Sequence, residues 1–130
     1  MNLSITPVYA GLFALFYIFL SLRVAMMRRS TQVSLGDGGN QQLAHRTRVH
    51  GNFIEYVPLV LILMALAELQ GQTAWVVHLI GASLVVGRLM HAYGLTRVPQ
   101  VLPLRAAGMV FTINALTVGA IANLAAALAG

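Results

Sequence analysis

The sequence predicts an all-α membrane protein, a bundle of four transmembrane helices, and three observations predict it. Of 130 residues, 58% are hydrophobic and only 8% charged, whereas a soluble domain carries about 25% charged residues. Four apolar runs each reach the ~20 residues that a helix needs to cross a bilayer. The arginines gather at two of the three connections between these runs, as the loops on one side of a membrane do. The runs lack period-two alternation and are too long for membrane strands.

The first span is expected at about residues 6–29, apolar from Pro7 and broken only by Arg23 before it ends in Arg28-Arg29. It has arginines after it rather than before it and no A-x-A-like cleavage site, so it reads as a span rather than a signal peptide. A Gly-rich polar loop, SLGDGGNQQ, follows. The second span, about 44–70, is polar in its first turns and wholly apolar from Val57 to Ala67. Glu68 to Gln72 then reads as a tight turn. The third span, about 73–96, has no charge before Arg88, and RVPQVLP supplies two prolines that stop it and start the next helix. The fourth, about 103–129, is uncharged from Ala106 onward. All four form one domain over 1–130.

The charge balance is +5, from eight arginines, no lysine, two glutamates and one aspartate. In a soluble protein that balance would point to nucleic acid, but no basic, aromatic-interleaved module is present and no such partner is expected. Topology explains the charge instead. Arg28, Arg29, Arg46 and Arg48 flank the first loop, Arg97 and Arg105 flank the third, and the second loop and both termini have none. The positive-inside rule therefore places loops one–two and three–four in the cytoplasm and both termini outside.

The most informative stretch is RVHGNFIEYVP in helix two. Arg48, Asn52, Glu55 and Tyr56 stand at i, i+4, i+7 and i+8, on one face of a helix. A carboxylate within a span costs about 2.5–3.5 kcal/mol on insertion scales and needs a partner, which makes Glu55 a site candidate. The alternative is that Arg48 snorkels to headgroups while Asn52 and Glu55 glue helices together. Helix three repeats the theme, with Arg88, His91 and Leu95 on one face and Tyr93 elsewhere. His45, His50 and His78 lack carboxylate companions at ligand spacing, so no metal is expected. Gly108, Thr112, Ala115, Gly119, Ala122 and Ala126 make a stripe of small residues on helix four, which reads as packing within or between subunits.

Several guanidinium groups around one carboxylate suit a ligand with more than one carboxylate and an amine, because arginine binds carboxylates in a bidentate way. Glu55 could pair with a ligand ammonium or hold an arginine in place. A cation beside a bound thiol lowers its pKa from about 8.5 and enriches the thiolate. The chain has no cysteine, so any thiol must come with the substrate. A peptide thiol such as glutathione meets these demands.

The helix-two signature R-x-x-x-N-x-x-E-[YT], present as Arg48, Asn52, Glu55 and Tyr56, resembles that of the membrane-associated proteins in eicosanoid and glutathione metabolism, the MAPEG superfamily. This group includes microsomal glutathione transferases and the leukotriene-C and prostaglandin-E synthases, and the chain looks like a short bacterial-type member. Arg28-Arg29 after Leu22-Arg23-Val24 is similar to the paired arginines of leukotriene-type members. Gly87-Arg88-Leu89-Met90-His91 is similar to the G-R-x-x-H segment of the prostaglandin and microsomal transferase members, and Arg105 occupies roughly the place of the family arginine near the glutathione sulfur. Tyr93 is offset from the helix-three tyrosine of those proteins. The resemblance implies a homotrimer in a bacterial inner membrane, with glutathione as co-substrate bound between subunits near the cytosolic side. Arg48, Asn52, Glu55 and Tyr56 would bind it, Arg28 or Arg29 would help, and Arg88 and His91 would line the cleft. Arg105 would be the catalytic residue, a fixed positive charge at the thiolate, which attacks a lipophilic electrophile or hydroperoxide arriving from the membrane. Two other readings stay open: a glutathione-binding or structural protein without catalysis, and a small four-helix transporter using Glu55.

Overall fold

The computed structural model describes residues 2–130 and contains four helices: α1 (Thr6–Thr31), α2 (Gln41–Leu69), α3 (Ala74–Thr96) and α4 (Leu102–Ala129). Each is long and apolar enough to cross a membrane. The ends follow local chemistry. Pro7 and Pro103 stand in the first turns of α1 and α4, where a missing N–H leaves no helical bond unmade. α1 stops at Gln32, which takes the left-handed conformation (φ +55°). α2 begins at Gln41 rather than near Ala44, because the Asn40 side chain accepts from the Leu43 amide at 3.0 Å and caps an extra turn. It then runs through Pro58 to Leu69 without interruption.

α2 lies at the centre of the bundle. Val60 and Met64 from α2 and Val77, Ile80 and Leu84 from α3 are fully buried at its heart. α1 leans on α2 through an aromatic cluster in which Phe13, Phe16 and Tyr17 surround Phe53. Outward faces carry Leu12, Leu15, Ile18, Val110, Ile121 and Leu124, all exposed, as suits side chains that meet lipid rather than water.

α3 and α4 form the tightest pair. A Cβ at Gly87 would stand 2.8 Å from the Gly108 carbonyl oxygen, and one at Gly94 would stand 2.6 Å from the Arg105 amide nitrogen. The helix-four stripe is thus packing within the subunit from Gly108 to Ala122, which are buried at each stripe position, while Ala126 is only half-buried. Close approach of backbones through small residues is the usual means of helix association where the solvent is hydrocarbon.

Glu68, read from sequence as part of a turn, closes the far end of the bundle. Its carboxylate accepts from the backbone amides of Ser4 (3.1 Å), Ile5 (2.7 Å) and Thr6 (2.9 Å), and so caps α1. A carboxylate satisfies these otherwise unpaired donors and complements the positive end of the helix dipole. Glu68→Ala should cost about 1–2 kcal/mol locally. Amide exchange at residues 4–6 in detergent should accelerate about 5- to 30-fold for that loss. Exchange at the parental rate would show the cap to be dispensable.

Candidate functional site

The other end of the bundle gathers the arginines. There the first and third loops meet, and His45 Nδ1 donates to the Arg97 carbonyl at 2.9 Å. Just inside this end, α2 divides the polar stripe read from its sequence. Asn52 points into the bundle and is 7% exposed, whereas Arg48 and Glu55 point outward, their side chains 50% and 48% exposed. Phe53 and Val49 set that rotation, because burying them against the neighbouring helices turns the Arg48–Glu55 face away. Tyr56 lies between, half-buried.

Arg48 and Glu55, two helical turns apart, form a bidentate ion pair at 2.8 and 3.2 Å. Gly51 lies beneath the pair: a Cβ there would stand 3.5 Å from Arg48 Nη1. Beside Arg48 a shallow cleft opens between α2 and the first loop, lined by Gly36, Asp37, Ala44, Thr47 and Gly51. Arg28 holds this wall, donating to the carbonyls of Gly36 (2.8 Å) and Val33 (3.3 Å). Arg29 is exposed at the end of α1.

Arg88 is the most deeply buried charge, 1% exposed. Neutral acceptors from three helices receive it. Nη2 donates to Asn52 Oδ1 of α2 at 2.7 Å and meets His91 Nδ1 of α3 at 3.4 Å, and Nη1 donates to Thr112 Oγ1 of α4 at 3.4 Å. A guanidinium only donates, so His91 accepts at Nδ1 and carries its proton on Nε2. The Thr112 hydroxyl donates in turn to the Gly108 carbonyl at 2.8 Å. The Phe53 ring lies under the guanidinium, 6.0 Å from its carbon. The buried Nε of Arg88 has no partner. Among the described residues no carboxylate contacts Arg88 directly, and a guanidinium keeps its proton in a protein, so a positive charge without a contacting acid sits inside the bundle.

Arg105 lies half-buried in the first turn of α4 and donates to Gln100 Oε1 at 2.7 Å. The structure therefore joins Asn52, Arg88 and His91 in one network and Arg48 with Glu55 in one pair. It attaches Arg28 to the loop and leaves Arg29 apart. Two participants escape a reading of the sequence. Thr112 hides in a stripe of small residues, although a hydroxyl at such a position in a span was its signal. Gln100 sits between two prolines and carries no signal at all.

Comparison with known proteins agrees with this picture. The MAPEG family matches residues 6–125. The inner membrane protein YecN of Escherichia coli (strain K12) is 38% identical over 120 residues, which is 92% of this chain and 90% of that protein. YecN of Escherichia coli O6:H1 (strain CFT073) matches to the same extent. Four membrane-spanning helices, the matched residues and these relatives together identify an integral, multi-pass membrane protein that belongs to the MAPEG family.

Proposed function

We propose that this protein is a glutathione-dependent membrane enzyme, in which the thiolate of bound glutathione attacks a lipophilic electrophile or hydroperoxide. The observation that supports it most is the charge arrangement at the arginine end. Arg48 and Glu55 neutralise one another, and the other arginines at this end, Arg88 and Arg105 beside the proposed site among them, keep positive charges without a bonded carboxylate. Uncompensated cations suit a ligand that carries excess negative charge, and more so once its thiol ionises. Glu55 engages only two of the five N–H donors of Arg48, so the others remain for a ligand carboxylate, with Tyr56 on the next turns of α2 and Asn52 and His91 inward of it around Arg88.

The half-exposed ion pair supports self-association as well. Leu59, Ile62 and Leu66 continue the same outward face of α2 and are exposed. A second copy packed along this face would cover both the apolar stripe and the pair; the resemblance to the family implies that the assembly is a homotrimer with glutathione between subunits. Arg28 would wall that site through the first loop, with Arg29 at its rim. The site would face the cytoplasm of a bacterial inner membrane, with both termini outside.

In conjugation, the thiol proton leaves to solvent, the sulfur–carbon bond forms and the bond to the leaving group breaks. With a hydroperoxide, a sulfur–oxygen bond forms as the oxygen–oxygen bond breaks, the alkoxide leaves as the alcohol by taking up a proton, and a second glutathione attacks the resulting sulfenic acid to release disulfide and water. The contribution of the chain is electrostatic: Arg105 would hold the anionic sulfur in a site shielded from water.

Purified protein in detergent should conjugate an activated aryl halide to glutathione. Arg48→Ala should raise the Kd for glutathione about tenfold or more, the worth of one charge-assisted hydrogen bond, as read by equilibrium dialysis. Saturable binding without turnover on aryl halides and lipid hydroperoxides would favour a binding protein over an enzyme.

A further inference from the structure

On the far side of α2, the bundle carries a second feature that the reading above does not use. α1 packs on α2 but scarcely touches α3, and the gap between them is an apolar fissure of about 700 Å³. Phe16 and Phe19 of α1 face Ala92 and Tyr93 of α3 across it, and Leu104 closes its end. Phe19 and Tyr93 are exposed on the outer surface of a membrane-spanning bundle, so the fissure opens sideways to lipid. At its arginine end it runs into a smaller, polar pocket, the two sharing Arg23, Thr96 and Arg97. That pocket adds Arg46 and Gln42.

Three guanidinium groups thus stand over the mouth of one hydrocarbon slot, and no acid lines either part. The chain has only three acids, and all are engaged elsewhere. Glu55 is bound to Arg48, Glu68 caps α1, and Asp37 accepts from the Gly39 amide. Arg46 donates to the Arg23 carbonyl at 3.2 Å and Arg97 to its own helix neighbour Tyr93 at 3.1 Å. Neither bond cancels charge. Arg46 lies two residues before Arg48, about 200° around α2 at 3.6 residues per turn, so this cluster faces away from the ion pair.

We propose that this fissure and its arginines form a binding site for an anionic phospholipid of the surrounding bilayer. One acyl chain lies between α1 and α3, and the phosphate rests among Arg23, Arg46 and Arg97. A hydrocarbon chain gains little by exchanging neighbouring lipid for an apolar slot, so selectivity must come from the headgroup. Basic side chains at an anionic membrane surface supply it. The slot does something different: it holds the chain still.

The test uses full-length protein reconstituted into vesicles containing phosphatidylglycerol and phosphatidylcholine, each spin-labelled in turn on its acyl chain. Labelled phosphatidylglycerol should show an immobilised component favoured roughly tenfold over phosphatidylcholine. Arg23→Gln with Arg97→Gln should bring that preference close to one. Neither side chain bonds to another helix, so the bundle is retained. Ala92→Phe, which fills the slot and leaves every arginine, should remove the immobilised component. Inorganic phosphate at millimolar concentration should not displace the lipid if the chain contributes to holding it. Equal immobilisation of both lipids by the parental protein would overturn the proposal. So would an unchanged preference in the double arginine variant, or an immobilised component that survives Ala92→Phe. Absence of any immobilised lipid, together with loss of the oligomer in Ala92→Phe, would instead assign the fissure to a second copy of the chain.

Discussion

Gly108→Val is expected to cost about 3 kcal/mol or more, the upper range for forcing atoms into a filled interior. A Cβ at this position would stand 2.6 Å from the Gly87 carbonyl oxygen and 2.7 Å from the His91 Cα. Those neighbours are backbone, so no rotamer change relieves the contact, and α3 and α4 must separate. The damage should extend to the site, because Thr112 sits one turn beyond Gly108 and receives Arg88. Thermal unfolding in detergent, followed by the loss of a monodisperse peak, should show a drop of many degrees. Gly11→Val is the control: nothing lies within 4 Å of a Cβ there, and its midpoint should stay with that of the parental protein. A Gly108 variant as stable as that control would mean that the close α3–α4 contact is not what holds the bundle.

The second large effect is expected on turnover. If Arg105 holds the glutathione thiolate, Arg105→Ala should lower kcat about 100- to 1,000-fold, the range seen when one pre-placed group that stabilises an anion is removed. An interaction gained chiefly as charge develops affects kcat more than substrate affinity, so the Kd for glutathione should change much less than in Arg48→Ala. Arg105→Lys keeps a charge but loses the planar fork that binds Gln100, and should fall between. Gln100→Ala removes the positioning partner alone and should cost less than loss of the guanidinium. Steady-state kinetics at saturating glutathione, with an activated aryl halide, measures all three. Undiminished turnover in Arg105→Ala would pass the role to another cation, of which Arg88 is the nearest in kind.

Much of the architecture is legible without coordinates, because a bilayer imposes a length and a polarity on every span. Four apolar runs and the placement of the arginines suffice for the helix count. Boundaries are harder. Gln41 and Gln42 read as loop because they are polar, yet Asn40 caps them into α2. Periodicity puts Arg48, Asn52, Glu55 and Tyr56 on one side of α2, but that side spans an arc. Which part turns inward depends on how Phe53 and Val49 pack against neighbouring helices, and a lone helix pattern carries no such information. Hence Asn52 joins Arg88 inside while Arg48 and Glu55 remain outside. The choice between Arg28 and Arg29 is likewise invisible in sequence, since it depends on which guanidinium reaches the carbonyls of a glycine-rich loop. Glu68 looks like an ordinary turn acid until α1 is seen to start against it.

The central claim is that cations from separate helices hold an anionic thiol ligand at one end of this bundle, and ultraviolet difference absorbance tests it most directly. Adding glutathione to the purified protein at neutral pH should raise a saturable thiolate band, which S-methyl glutathione cannot produce and which Arg105→Ala should weaken. A flat spectrum across the titration, with no saturable binding by dialysis, would contradict the account.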